Sequence, residues 1–232
     1  IATGDRIVAV KWPDISSFAV PDVAPVINVK VESAACIRYS GVHITGVKVD
    51  ASPEWLQNRL KVIGLKPINN VVDITNYVLY EMGQPLHAFD ASRIVGREVL
   101  VKKPEPGTIF KTLDGVDRKL EGSELMICDT NGGMCIAGVF GGLGSGVSEN
   151  TTEVFLESAC FDAVSIRKTS KLHGLKTDAS FRFERGSDPN LTLIAMKRAA
   201  LLINEITGGK VSSSVIDIYP QPVKDWKVEF SN

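Results

Sequence analysis

Apolar and polar residues alternate through "VINVKVES" (26–33) and "CIRYSGVHITGVKVD" (36–50), both rich in β-branched side chains, so the pattern predicts two half-buried strands. The period then changes. In "SPEWLQNRLKVIG" (52–64), Leu56, Leu60 and Ile63 fall on one helical face. Ser52 reads as the N-cap, Pro53 as the first turn and Gly64 as the stop. "NNVVDITNYVLYEMG" (69–83) predicts a second amphipathic helix from Val71, Ile74, Val78 and Met82, with Tyr77 flanking and Gly83 terminating. Residues 97–158 return to strand character in "EVLVKK", "TIFKTLDGVDRKL", "ELMICDTNGGMCIAGVFGG" and "EVFLES", with Asp114-Gly115 and Asn131-Gly132 as hairpin turns. Two more helices are expected, near 162–172 and in "DPNLTLIAMKRAALLINEITGG", where Asp188 caps, Pro189 starts and Gly208 stops the run; "VSSSVIDIYP" closes with a strand. Strands in blocks with helices grouped between them argue for an α+β fold, a mixed or antiparallel β-rich core with several packed helices. No internal repeat or low-complexity segment interrupts this plan.

Composition adds limits. The 232 residues, 44% hydrophobic, suffice for a sizeable core. "KWPDISSFAVPDVAPV" (11–26) has three prolines and no period, so residues 1–26 read as lead-in and 221–232 as the stub of a following unit. No apolar run is long enough to span a membrane and no leader pattern opens the chain; the expected location is the cytoplasm, and the start without Met reads as an excised fragment. Cys36, Cys128, Cys135 and Cys160 form no C-x-x-C pair and have no His at ligand spacing, so reduced, mostly buried thiols are expected and no metal. A net charge of −1 excludes a generally basic nucleic-acid wrapper. Residues 165–185 nevertheless hold Arg167, Lys168, Lys171, Lys176, Arg182 and Arg185 against Asp178 and Glu184, a local +4 that suits either a short stretch of phosphate backbone or a solvated helix face.

The common catalytic motifs are absent: no G-x-S-x-G, H-E-x-x-H, P-loop or dinucleotide fingerprint occurs. "GVFGGLGSGVS" (138–148) has five glycines, which fits a close backbone approach to a ligand or a flexible loop. Three polar spots remain. Thr75 and Asn76 on the second helix, with His87 in the "QPLHAFD" loop after it, are positioned to meet at one pocket edge. Glu157 in "VFLESACF" shares a strand face with Phe155, where a carboxylate is costly unless an Arg or a ligand donates to it. In "HGLKTDASFRFERGSDP" (173–189), Phe181 and Phe183 alternate with Arg182 and Glu184, as in a strand with one aromatic and one charged face.

Three long stretches, "NNVVDITNYVLYEMGQPLHAFD", "AGVFGGLGSGVSENTTEVFLESACF" and "HGLKTDASFRFERGSDP", together closely resemble the editing domain of the β subunit of bacterial phenylalanyl-tRNA synthetase. The similarity runs from about residue 35 to about 218, and residues 27–220 are taken as the domain. Nothing in the chain resembles the class II catalytic core or the anticodon-binding domain. The resemblance implies hydrolysis of tyrosine wrongly esterified to phenylalanine tRNA. It implies His87 as a pocket residue and the one side-chain candidate for a base, Thr75 and Asn76 in the same pocket, and Glu157 as the acceptor for the tyrosine hydroxyl. Thr177 and Ala179 and the backbone around Gly138 and Gly141 would surround the amino acid. It implies no cofactor for this chemistry, with ATP and magnesium needed only by the full synthetase. The acceptor end of phenylalanine tRNA would be a partner, with Arg167, Lys168, Lys171, Lys176 and Arg182 as the candidates to contact it. The rest of the β subunit and an α subunit, in an α2β2 assembly, would be the others. A scaffold with an inactive pocket, or a free-standing deacylase of other preference, are the competing readings.

Overall fold

The computed structural model describes residues 2–3, 6–7, 11–224 and 227–229. The stub expected at 221–232 lies partly outside the described residues. Two short antiparallel strands, β1 (Ala2–Thr3) and β2 (Arg6–Ile7), open the chain, which nothing in the aperiodic lead-in signals. Residues 11–26 carry no helix or strand, as three prolines dictate, yet Phe18 packs on the helical core and Ser214 donates to the Val23 carbonyl.

β3 (Asn28–Val31) and β4 (Cys36–Thr45) follow, then helices α1 (Glu54–Val62) and α2 (Asn70–Met82), and the chain leaves α2 through a left-handed Gly83 into β5 (Leu86–Asp90). Next come β6 (Glu98–Lys102), the hairpin of β7 (Ile109–Lys111) and β8 (Asp117–Lys119), then β9 (Met126–Cys128), β10 (Gly133–Ile136), β11 (Phe140–Gly141) and β12 (Glu153–Phe161). Helices α3 (Ala163–His173), α4 (Asp178–Phe183) and α5 (Leu191–Thr207) precede the closing strands β13 (Lys210–Val211) and β14 (Ile216–Ile218).

The fold is α+β, built from two five-stranded sheets. One has the order β13-β4-β12-β5, with β14 also on the outer edge of β4, and is antiparallel throughout; the other has the order β11-β10-β9-β6-β3, with only the β3–β6 pair parallel. The first sheet is the middle layer. One of its faces (Val42, Ile44, Ala88, Val154, Leu156) packs on α1, α2 and α5. The other (Tyr39, Phe89, Phe155, Ala159, Phe161) shares a core with the second sheet, α3 and α4. β4 is therefore buried almost throughout and not half-buried: its alternation separates two covered faces, not core from solvent.

Several local expectations change. Ser52 does not cap α1; Pro53 holds that place, and the Ser52 hydroxyl donates to buried Asp73 at 2.5 Å. Ile63 lies beyond the helix end and is exposed. The long C-terminal helix starts at Leu191, because Asp188, Pro189 and Asn190 form a turn in which Asp188 accepts from the Asn190 N–H. His87 is on strand β5 and not in a loop. The segment read as an aromatic strand is the helix α4, set by a capping box: Thr177 Oγ1 accepts from the Ser180 N–H while Ser180 Oγ accepts from the Thr177 N–H. Helical geometry then separates the two rings, and Phe183 is buried while Phe181 is 54% exposed. All four cysteines are buried free thiols.

Candidate functional site

Glu157 and His87 are directly opposed across the β12–β5 pairing, which places both side chains on one sheet face. That face looks toward α4 and the turn between β10 and β11. Between them lies a cavity of about 80 Å³ lined by Pro85, Leu86, His87, Cys135, Gly138, Val139, Phe140, Gly141, Glu157, Phe161, Ala179 and Phe183. Apart from His87, Glu157 and the Cys135 thiol, the side chains that line it are apolar.

Burial dominates the electrostatics. Glu157 has no cationic partner among the described residues; its Oε2 accepts a hydrogen bond from the hydroxyl of the fully buried Tyr39 at 2.7 Å. Desolvation raises its pKa from 4.5 to about 7 against the opposing pull of that hydrogen bond, so near neutral pH the carboxyl is poised between its two forms. The His87 ring stands edge-on to Phe89 at 4.3 Å between centroids, and its Nε2 is sealed from solvent with no hydrogen-bond partner among the described residues. Desolvation lowers its pKa from 6.5 to about 4, so the imidazole is neutral at physiological pH. A base this weak holds a proton poorly at pH 7, and the ring is better suited to orienting a ligand or water than to storing its proton.

The glycine segment is a built wall, not a loose loop. The Leu113 N–H donates to the Gly141 carbonyl, the Gly142 N–H to Met134, and isolated bridges join Phe89 to Gly146 and Thr112 to Gly142. Gly138 has φ +65°, and a β-carbon there would lie 2.8 Å from Phe183 Cδ2 and 3.0 Å from Phe161 Cδ2, so glycine is required for both conformation and space. At Gly141 a β-carbon would stand 3.6 Å from His87 Cε1, which shows how near this backbone runs to the imidazole.

The structure thus brings together His87, Glu157, Gly138, Gly141 and Ala179. Thr75, Asn76 and Thr177 do not line the cavity. Thr75 donates to the Val72 carbonyl within α2, on the opposite side of the sheet, and Thr177 caps α4 while its hydroxyl also donates to the Val139 carbonyl, fastening α4 to the cavity wall. Arg167, Lys168, Lys171 and Lys176 are exposed and form no salt bridge among the described residues; Arg182 is half-buried, stacked on Tyr80 and near Asp178. Tyr39 was not signalled by the sequence, since only the long-range β4–β12 register carries its hydroxyl to Glu157. A wider groove of about 560 Å³ lies beside the β7–β8 hairpin, bordered by Ile109, Lys111, Asn131 and Leu143, but among the described residues no orphaned buried polar atom lines it. The small cavity is therefore the candidate site.

A three-layer α+β domain with a small cavity between its two sheets defines the class: the B3/4 domain family model matches residues 35–208, and the chain belongs to that family. The phenylalanine–tRNA ligase β subunit of Bacteroides fragilis is 56% identical over 96% of this chain, and that of Porphyromonas gingivalis is 57% identical over 88%. The chain spans about a quarter of the length of these relatives, 27% and 25% respectively. An N-terminal fragment of the phenylalanyl-tRNA synthetase β subunit from Pyrococcus horikoshii shares the fold, with a TM-score of 0.57 at 14% identity over 86% of this chain and 56% of the fragment.

Proposed function

We propose that this domain performs post-transfer editing as part of a phenylalanine–tRNA ligase β subunit, hydrolysing tyrosine esterified to phenylalanine tRNA. The observation that carries the reading is a buried carboxyl group with no cationic partner among the described residues, lining a small cavity directly opposite a neutral imidazole. An apolar synthetic pocket rejects an analogue that merely adds a hydroxyl only weakly, so tyrosine escapes the first selection. A second site with a buried acceptor selects in the opposite sense: the tyrosine phenol donates to Glu157, whereas phenylalanine leaves one of the two carboxylate oxygens without a donor, at a loss of about 1 to 3 kcal/mol.

Ester hydrolysis requires a positioned water and donors for the developing oxyanion. His87 orients the water or the ester, Gly138 and Gly141 bring backbone against the amino acid, and the short Ala179 side chain lines the same wall from α4. Thr75 and Asn76 act, in this reading, from outside the cavity wall, and Thr177 acts by holding α4. No metal or cofactor enters this step; ATP and magnesium belong to the aminoacylation reaction of the whole synthetase. Arg167, Lys168, Lys171 and Lys176 on and beside α3, with Arg182, receive the phosphates of the acceptor end, contacts that position without reading sequence. The remaining β-subunit domains and an α subunit, in an α2β2 cytoplasmic assembly, complete the proposed context.

The test compares hydrolysis of tyrosyl- and phenylalanyl-tRNA by this protein and its Glu157→Ala variant. Selective loss of the tyrosyl ester by the parent, with selectivity abolished in the variant, is expected. Hydrolysis of neither ester would overturn the catalytic assignment and favour a binding module.

A further inference from the structure

The editing reading makes Glu157 the acceptor for a phenol, and the structure already shows a phenol on it. Tyr39 on β4 pairs with Ala159 of β12, two residues beyond the Gly41–Glu157 pair, so its ring reaches Glu157 diagonally on the shared face. Its hydroxyl lies 2.7 Å from Glu157 Oε2, and that is the one hydrogen bond the carboxyl makes among the described residues, so Oε1 is left without one. Gly41, directly opposite Glu157, keeps this arrangement open: a β-carbon there would fall 2.4 Å from Phe155 Cζ, so the Phe155 ring lies over the position where any side chain at residue 41 would stand.

We propose that Tyr39 is a specificity-determining positioning residue: its phenol permanently occupies one carboxylate oxygen of Glu157 and fixes the group so that the other oxygen is available to the phenol of the ligand. This inference rests on the editing reading for the identity of the ligand, and on the Tyr39–Glu157 geometry alone for the coupling. Without the Tyr39 donor the carboxylate would be buried with no hydrogen bond at all and would take up a proton at a higher pH. A protonated carboxyl is a poorer acceptor and distinguishes tyrosine from phenylalanine less well. The titratable groups nearest Glu157 are Tyr39 and Cys36 from β4, His87 from β5 and Cys135 from β10; α4 contributes only Ala179 and Phe183 to the cavity wall. Burial raises the Tyr39 phenol and both thiols and lowers His87, so all four are neutral where Glu157 titrates, and Tyr39 is the one that donates to it.

The experiment uses the whole 232-residue chain, its Tyr39→Phe and Glu157→Gln variants and the double variant. Binding of tyrosinamide and phenylalaninamide is measured by calorimetry from pH 5.5 to 9.5, and the Glu157 carboxyl is titrated by carbon-13 NMR. In the parent the preference for tyrosinamide rises with the ionisation of Glu157. In Tyr39→Phe the carboxyl midpoint moves up by about one pH unit or more, and the preference falls about five- to tenfold at pH 7. It returns at the alkaline end, a rescue that loss of packing would not give. In the Glu157→Gln background the added Tyr39→Phe change leaves the pH dependence flat, which keeps the test informative if either single variant is destabilised. An unmoved midpoint, or a preference lost equally at every pH, would overturn the proposal. If the preference and its dependence on Tyr39 hold but tyrosyl-tRNA is not hydrolysed, the editing reading fails and the role of Tyr39 stands.

Discussion

Glu157 and His87 face each other across one strand pair, yet burial moves their pKa values in opposite directions, with opposing effects on stability. Glu157 is raised from 4.5 to about 7, so its contribution is fully present below pH 4.5 and is lost as pH rises through 7. His87 is lowered from 6.5 to about 4, so its contribution is present above pH 6.5 and is lost as pH falls through 4. At 1.36 kcal/mol per pH unit each span corresponds to about 3 kcal/mol, an upper figure for His87 because its ring is only half-buried. Between pH 4.5 and 6.5 the two slopes cancel, and single substitutions unmask them. Relative to the parent, Glu157→Gln should lose about 2 to 3 kcal/mol as pH is lowered from 7 to 4.5, because it lacks the favourable protonation. His87→Asn should gain about 2 kcal/mol over the range 6.5 to 4.5. Urea unfolding followed by tryptophan fluorescence at half-unit steps of pH measures both, and subtracting the parent curve at each pH removes contributions from groups common to all three proteins, such as the Arg97-paired Glu153. Differences that stay constant within about 0.5 kcal/mol across the range, for either variant, would show that the cavity is hydrated enough to leave these groups near their ordinary values and would refute the desolvation argument.

Gly138→Ala should destabilise the fold by about 2 to 4 kcal/mol, combining a left-handed backbone with contacts against Phe183, Phe161 and Ile166, and thermal or chemical denaturation reads it directly. Asp73 is fully buried and accepts from both the Ser52 hydroxyl and the Ile68 N–H; Asp73→Ala leaves two donors unpaired and should cost about 3 kcal/mol, with the segment joining α1 to α2 losing amide-exchange protection. If α3 receives the acceptor end, Lys168→Glu and Lys171→Glu should each weaken tRNA binding uniformly across sequences and reduce the salt-dependence slope by about one, while binding of free tyrosinamide is unaffected.

Periodicity in the sequence was enough to determine the amphipathic helices α2 and α5 and the strands β4 and β12, because burying an apolar stripe is a local demand met by the spacing of side chains. The same pattern was misleading at residues 178–183, where the alternation of Phe181 and Phe183 imitates a strand; the Thr177–Ser180 capping box, a short-range signal present in the sequence, outweighs it. The alternation also placed Glu157 on the face of Phe155, but what faces it there depended on register. Only the pairing of β12 with β4 on one side and β5 on the other brings Tyr39, Glu157 and His87 together, from positions 39, 157 and 87 of the chain. Thr75 and Asn76 show the converse: twelve and eleven residues before His87, they lie on a helix that packs against the other face of the sheet, so nearness in sequence did not become nearness in the cavity. Local propensity chooses the elements, whereas the long-range register of a sheet covered on both faces decides which side chains share a solvent-poor cavity and how far their pKa values move.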